Sequence, residues 1–194
     1  MSERLAGKTV AIVAANEFED IELEFPLLRL SEEGASIVLV PVKAGTHPRP
    51  ASPEKPVTGR YGTPIPPDVM TEGNRFTLKE LEELRVGELD AVLLPGGFSP
   101  DQLRIREDVL DFITKMNEAE KVIAAICHGP QVLISAGLVQ GLTVTSYEAV
   151  KDDLQNAGAH YVDRPAVRDG NIVTGRVPDD LPQFCGEIVA ALED

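Results

Sequence analysis

The chain has little of what several large classes of protein require. Its 194 residues include only two cysteines, which excludes a disulfide-stapled scaffold and predicts a reducing compartment. Eighteen lysines and arginines stand against 32 acidic residues, and the net charge of -14 disfavours a track for nucleic-acid phosphates. The cations form no cluster, which also disfavours binding to an anionic membrane. We therefore expect neither nucleic acid nor membrane as a partner.

Long hydrophobic runs are missing as well. The apolar run that begins near Thr9 ends at Ala15, which is too short to span a membrane, and no leader-type cleavage pattern follows it. The sequence therefore predicts a cytoplasmic protein. Its length suits one domain over residues 1–194, large enough to bury roughly 70% of the surface of the unfolded chain.

The usual patterns for metals and nucleotides are also lacking. There is no His-x-x-x-His pair, no paired cysteines, no phosphate-binding Gly-x-x-x-x-Gly-Lys and no dinucleotide fingerprint after the first apolar run. Two of the three histidines, His47 and His160, stand apart from other candidate residues. We predict no metal and no cofactor.

What the chain does have is an alternation of apolar segments typical of strands with amphipathic segments typical of helices. Strands are predicted at residues 9–15, 36–42, 89–94, 121–126 and 142–146, with a hairpin turn at Asp169-Gly170 between residues 166–167 and 172–173. Helices are predicted at residues 22–33, 76–84, 101–116, 131–138, 150–156 and 181–192. This alternation predicts an α/β fold with a doubly wound, mainly parallel sheet. Four prolines between residues 44 and 56 indicate an inserted surface loop.

Cys127 occupies the most informative position in the chain. The buried-strand pattern that ends at Ile126 runs directly into Cys-His-Gly-Pro and then into a helical pattern. This order is typical of a nucleophile elbow, in which a thiol at a sharp turn faces the N-terminus of the following helix. The helix dipole and the neighbouring His128 are expected to favour the thiolate. A buried structural cysteine is the alternative interpretation.

Further candidates lie at the ends of two other predicted strands. Gly96-Gly97 follows a buried strand, and the N–H groups of Gly97 and His128 are candidate oxyanion-hole donors. Glu19 and Glu22 lie three positions apart on one face of the first helix, although acids in a first turn are often simply solvated. If Glu22 approaches Cys127, its pKa is expected to rise until the protonated carboxyl donates a hydrogen bond to sulfur.

Taken together, these motifs resemble the ThiJ/PfpI superfamily, and specifically its PfpI branch of intracellular proteases and general stress proteins. The matching segments are residues 15–23, 94–97, 126–131, 145–147, 151–153 and 176–181, in family order across nearly the whole chain. The resemblance implies a flavodoxin-like domain related to class I glutamine amidotransferases. It also implies a homo-oligomer, either a dimer or a hexamer, whose subunits share the active site.

The resemblance assigns roles to individual residues. Cys127 is implied as the nucleophile, His128 as its base partner and Glu22 as the carboxylate that contacts sulfur. Asp101 stands where the branch usually has Glu, an acid that a neighbouring subunit supplies to the histidine. The implied pocket also includes Gly96, Gly97, Glu19, Tyr147 and Arg60, the last at a position where the branch often has Lys.

The residues and the resemblance together support two functions from different classes. The first is a stress-response cysteine hydrolase, of glyoxalase/deglycase or peptidase type, that acts on small carbonyl-damaged or peptide substrates. The alternative is a non-enzymatic redox-sensing stress protein or chaperone in which Cys127 is oxidised. Cys185 is expected to be a packed core thiol. An amidotransferase subunit is a weaker third possibility, because no synthetase domain accompanies the chain.

Overall fold

A computed structural model describes residues 3–43, 55–68 and 75–194, and their strands confirm an α/β fold with a mainly parallel sheet. The strands are β1 (Thr9–Ala14), β2 (Ser36–Pro41), β3 (Phe76–Leu78), β4 (Ala91–Leu94), β5 (Val122–Ile126), β6 (Thr143–Val144), β7 (His160–Tyr161), β8 (Ala166–Asp169) and β9 (Ile172–Gly175). Seven of them form one sheet in the order β3-β2-β1-β4-β5-β9-β8, in which only the β8–β9 pair is antiparallel. Strands β6 and β7 form a separate parallel pair.

Helices cover both faces of the large sheet. They are α1 (Asp20–Glu32), α2 (Ser99–Leu103), α3 (Glu107–Glu118), α4 (Pro130–Ser135), α5 (Lys151–Asn156) and α6 (Leu181–Glu193). Helices α1 and α6 contribute to the hydrophobic core on one face, and α2 to α5 contribute to the core on the other. This layering explains why the central strands are apolar throughout, since both of their faces are covered.

The register of the central strands brings the site together. Val10 of β1 pairs with Ile37 on one side and with Ala91 of β4 on the other, both in parallel. Strand β4 in turn pairs in parallel with β5. The carboxyl ends of β1, β4 and β5 therefore meet at one edge of the sheet, where ligands bind in doubly wound folds.

The prediction of a helix over residues 76–84 is wrong. Residues Phe76–Leu78 form the edge strand β3, which pairs in parallel with β2, and Leu81–Glu83 form a single 3-10 turn. The structure of this segment depends on pairing with β2, some forty positions earlier in the chain. A pattern of neighbouring residues carries no information about so distant a contact.

The prediction of one helix over residues 101–116 is also wrong, because α2 and α3 are separated at Arg104–Arg106. The buried stripe of α3 begins at Val109, six positions after the buried Leu103 of α2. At 100° per residue, one continuous helix would turn these two side chains roughly 120° apart. The break allows both of them to face the same core.

The predicted hairpin is confirmed, but its turn is Gly170-Asn171 and not Asp169-Gly170, because Asp169 still belongs to β8 and pairs with Ile172. Gly170 has a φ of 60° in this two-residue connection. Most of the proline-rich insertion, residues 44–54, lies outside the described residues. Within the part of the chain that the structure describes, no helix is long and apolar enough to cross a membrane.

Candidate active site

The strand-to-helix junction at Cys127 has the geometry of a nucleophile elbow, as predicted. Cys127 adopts a φ of 61°, a left-handed conformation that non-glycine residues seldom hold without compensation. Its backbone N–H is fixed by a 3.0 Å hydrogen bond to the carbonyl of Gly175 in β9. Gly129 is needed because a Cβ there would lie 2.6 Å from the carbonyl oxygen of Leu94. The crowded backbone thus directs the thiol away from β5.

Glu22 lies beneath the elbow on the inward face of α1. Its side chain is fully buried, and Oε2 accepts a 2.7 Å hydrogen bond from the backbone N–H of Gly96. Burial raises the pKa of Glu22 to about 8, since the hydrogen bond from Gly96 only partly offsets the loss of water. The carboxyl is therefore protonated at pH 7, which confirms the expected direction of the shift.

The resting state of the thiol differs from the prediction. Burial, followed by the charge on Glu22 when ionised, raises the pKa of Cys127 to about 12. Hydrogen bonds from the backbone N–H groups of Gly97 and His128 oppose this rise without cancelling it. The expectation of a stabilised thiolate is wrong for a single chain, because the sulfur is largely removed from water and the carboxylate of Glu22 opposes a second negative charge beside it.

The Gly96-Gly97 turn after β4 forms the wall opposite the elbow. A Cβ on Gly96 would lie 2.6 Å from the Cβ of Cys127 and 2.8 Å from Oε2 of Glu22, so only glycine fits between them. Gly97 has a φ of 70° and forms a bridge with Phe18 in the loop after β1. Its N–H and that of His128 both donate hydrogen bonds to the sulfur, and their role as oxyanion donors stays a prediction.

His128 is half-buried beside the thiol. Its Nδ1 lies 3.5 Å from Sγ of Cys127, and its ring is tilted against Tyr147 with centroids 5.1 Å apart. Burial lowers the pKa of His128, although the charge of Asp101 partly restores it and that of Arg60 adds to the lowering. The imidazole is therefore neutral near pH 7 and available to accept a proton.

Asp101 lies in the first turn of α2 and lines the same cavity as His128 of its own chain. No hydrogen bond joins the two side chains within the described ranges, so the carboxylate acts on the imidazole there through its charge alone. Donation of this carboxylate by a neighbouring subunit stays a prediction.

Glu19 and Arg60 form one rim of the cavity, with Nη1 of Arg60 3.0 Å from Oε2 of Glu19. Arg60 reaches this position because Asp20 at the start of α1 accepts hydrogen bonds from the backbone N–H groups of Tyr61 and Thr63. The sequence motifs gave Asp20 no role in the site. Its position at a helix start concealed it, since acids there usually only stabilise the helix dipole.

These elements enclose a cavity of about 360 Å³. It is lined by Glu19, Arg60, Gly97, Phe98, Asp101, Cys127, His128, Tyr147, Val177 and Pro178. Most residues of the predicted pocket are therefore brought together, while Glu22 and Gly96 lie directly behind Cys127. Phe98, Val177 and Pro178 were not predicted as site residues. Val177 and Pro178 lie in segment 176–181, which matches the family motif but was assigned no role in the site.

Cys185, the second cysteine, is fully buried in α6 within the core that α1 shares, as expected for a packing thiol. Burial raises its pKa to about 12. Across residues 3–43, 55–68 and 75–194, no three side chains of His, Cys, Asp or Glu are grouped so that they could hold a metal ion.

An elbow cysteine with an adjacent histidine and a buried carboxyl, at the carboxyl edge of a doubly wound sheet, defines an α/β protein with a thiol at the position where this fold class places its ligand sites. The chain belongs to the DJ-1/PfpI family, whose profile matches residues 8–191.

Two relatives and one solved structure illustrate the match. Deglycase PfpI of Pyrococcus furiosus is 37% identical over 184 residues, covering 95% of this chain and 99% of its own. YraA of Bacillus subtilis, named as a candidate cysteine protease, is 38% identical over 187 residues, covering 96% and 99%. The crystal structure of DJ-1beta of Drosophila melanogaster superposes with a TM-score of 0.79 at 26% identity, covering 99% and 91%.

Proposed function

We propose that the protein is a cysteine-dependent deglycase or glyoxalase, which removes small dicarbonyl compounds such as methylglyoxal from amines and thiols. One observation carries the proposal: Sγ of Cys127 faces a cavity of about 360 Å³, with Nδ1 of His128 3.5 Å away and two backbone N–H groups directed at it. A cavity of this size suits a three-carbon carbonyl compound and part of its carrier better than a folded protein. The deglycase name of a 37% identical relative supports the same reaction class.

The high pKa of the thiol determines how the first step proceeds. Because Cys127 is protonated at rest, its proton must leave as the sulfur attacks, and neutral His128 is placed to accept it. A C–S bond forms at the aldehyde carbon while the carbonyl electron pair moves to oxygen. The N–H groups of Gly97 and His128 hold the resulting oxyanion, which then takes the proton from His128.

The remaining steps balance without an external oxidant. When the aldehyde arrives as an adduct, the amine or thiol carrier leaves with a proton as the Cys127 hemithioacetal forms. A proton then moves from the sulfur-bearing carbon to the adjacent carbonyl carbon, so that one carbon is oxidised, the other is reduced and a thioester results. Water hydrolyses the thioester to a 2-hydroxy acid and returns the thiol.

Asp101 has a positioning role in this proposal. Its negative charge raises the pKa of His128 and so favours the imidazolium that forms when the thiol is deprotonated. In a homo-oligomer, a neighbouring subunit's copy of this acid would complete a Cys-His-acid triad. In that case the reaction rate per chain should fall when the oligomer is diluted to monomers.

Glu22 gives specific support to a second function, oxidation of Cys127 in a stress sensor. A protonated, buried carboxyl beside the sulfur can donate a hydrogen bond to a sulfinate as well as to a thiol. Peroxide treatment followed by intact-mass measurement, on the wild type and on Glu22→Gln and Glu22→Ala variants, tests this function separately. Uncontrolled conversion to the sulfonate in Glu22→Ala alone is the expected result.

Steady-state turnover tests the proposed enzyme. We expect release of 2-hydroxy acid from methylglyoxal and from a methylglyoxal-modified peptide, with loss of at least about 100-fold in Cys127→Ser. The control is Cys185→Ala, which leaves the site intact. No turnover by the wild type on either substrate, or equal loss in both variants, contradicts the proposal.

A further inference from the structure

The wall of the catalytic cavity opposite Cys127 belongs to a segment with little stability of its own. Gly97, Phe98 and Asp101 of this segment line the cavity. Helix α2, which carries Asp101, has only five residues, and no side chain caps its first turn. A helix this short does not hold its shape or place without tertiary contacts. Its position at the cavity therefore depends on how it is attached to the rest of the molecule.

Two backbone hydrogen bonds tie the turn before α2 to the loop after β1. The N–H of Phe98 donates to the carbonyl of Glu17 at 2.8 Å, and the N–H of Glu19 donates to the carbonyl of Gly96 at 3.3 Å. Both bonds lie ahead of the first residue of α2. They place the turn, but they leave the helix itself to be fixed by other contacts.

Two buried side chains attach α2 to the end of β1. Oγ of Ser99 accepts a 2.8 Å hydrogen bond from the N–H of Ala15, and Nε2 of Gln102 donates a 2.7 Å hydrogen bond to the carbonyl of Asn16. Ser99 and Gln102 are at most 1% exposed, so both bonds lie away from water, where a hydrogen bond is stronger. Leu103 is also buried, but an apolar contact has no preferred direction, whereas two hydrogen bonds fix the rotation of the helix.

Asp101 depends on this attachment for its direction. Ser99 and Gln102 are three positions apart and share the helix face that meets β1. Asp101 is turned roughly 100° from Gln102 and roughly 160° from Ser99, toward the cavity that it shares with His128. The Asp101 and His128 side chains share no hydrogen bond in the part of the chain that the structure describes, so the distance between them is set by where α2 lies.

We infer that Ser99 and Gln102 are positioning residues, which hold Asp101 near His128 and the N–H of Gly97 at Cys127 by attaching α2 to the end of β1. Neither side chain is among those that line the cavity. The expected effect on turnover rests on the proposed function, whereas the expected effect on the titration of His128 requires no reaction.

A thermodynamic cycle on the titration of His128 tests the positioning role. The pKa of His128 is measured by NMR with and without Asp101→Asn, in the wild type, in Ser99→Ala and in Gln102→Met. We expect the shift caused by Asp101→Asn to be about half as large in the two variants, because the charge then lies at a less favourable distance. Taking the difference cancels any change in the burial of His128 that a variant causes by itself. The two variants remove separate hydrogen bonds, so either one alone suffices.

Turnover of methylglyoxal gives a second readout. Both variants should lower kcat about tenfold and leave KM within about twofold, since the groups that they position act in the transition state. The matched control is Asn171→Ala, which removes an amide that donates a 2.9 Å hydrogen bond to the carbonyl of Lys121, at the opposite end of β5. This control should change neither the His128 shift nor kcat.

An Asp101→Asn shift of full size in both variants, or an equal reduction in Asn171→Ala, overturns the inference. An unchanged kcat in both variants of an active enzyme also overturns it. Absence of turnover by the wild type, with a reduced shift in both variants, would instead overturn the enzyme proposal and leave the positioning role standing.

Discussion

The backbone N–H of Gly96 donates a 2.7 Å hydrogen bond to Oε2 of Glu22, directly beneath the Cys127 side chain. This contact joins the turn after β4 to the first helix and fixes a fully buried carboxyl behind the thiol. Because both groups are removed from water, the neutral forms of Glu22 and Cys127 are favoured together near pH 7.

Glu22 should make the protein less stable as the pH rises. The pKa of Glu22 is about 8 in the folded chain and exceeds the ordinary value of 4.5. Its contribution to the free energy of unfolding is therefore complete below pH 4.5 and is lost as the pH rises to 8. Over this interval the wild type should lose about 1.4 kcal/mol per pH unit relative to Glu22→Gln. Urea unfolding at several pH values measures the difference. Glu32→Gln, on the exposed side of the same helix, is the control, and parallel curves for wild type and Glu22→Gln would refute the prediction.

Alkylation of Cys127 should report the charge on Glu22. Above pH 8 the carboxylate opposes formation of the thiolate, so Glu22→Gln should react with iodoacetamide faster than the wild type at pH 9. At pH 6.5 Glu22 is protonated and the two proteins should react at similar rates. Both proteins carry Cys185→Ala, so that intact-mass measurement follows the alkylation of Cys127 alone. A faster variant at pH 6.5, with no difference at pH 9, would reverse the assigned cause.

The charge of Asp101 should be visible in the titration of His128. Removing it in Asp101→Asn takes away the interaction that raises the histidine pKa, so the pKa should fall further below its usual range. The acid limb of the pH–rate profile should move to lower pH in parallel. NMR titration of the imidazole C–H signals measures the shift. Asp111→Asn on α3 is the exposed control, and an unchanged His128 titration in Asp101→Asn would show that the charge does not reach the ring.

A methyl group at position 96 should damage the site more than one elsewhere. The Cβ of Gly96→Ala meets the Cβ of Cys127 and the Glu22 carboxyl at under 3 Å, so we expect a loss of about 1–3 kcal/mol in stability and strongly reduced thiol reactivity. Gly87→Ala, where a Cβ has open space, is the control and should be neutral or slightly stabilising. Thermal unfolding and alkylation together measure both effects. A Gly96→Ala variant that behaves as Gly87→Ala does would show that the site accommodates the methyl group.

Local patterns predicted the elbow well, because a strand, a crowded turn and a helix around Cys127 are consecutive in the chain. The inward position of Glu22 on the first helix could be predicted from helical spacing in the same way. The thiol pKa could not be predicted, since it depends on how closely the Gly96 turn from another strand covers the sulfur. Strand β3 was missed for a similar reason, because its structure depends on pairing with the distant β2.

Trapping the covalent intermediate tests the central claim most directly. The wild type, Cys127→Ser and Cys185→Ala are mixed with methylglyoxal-modified peptide, quenched in acid within one turnover and analysed by intact mass and peptide mapping. The account predicts a thioester-linked acyl group on Cys127 in the wild type and in Cys185→Ala, and none in Cys127→Ser. Product formation without any adduct on Cys127, or undiminished product formation by Cys127→Ser, would contradict it.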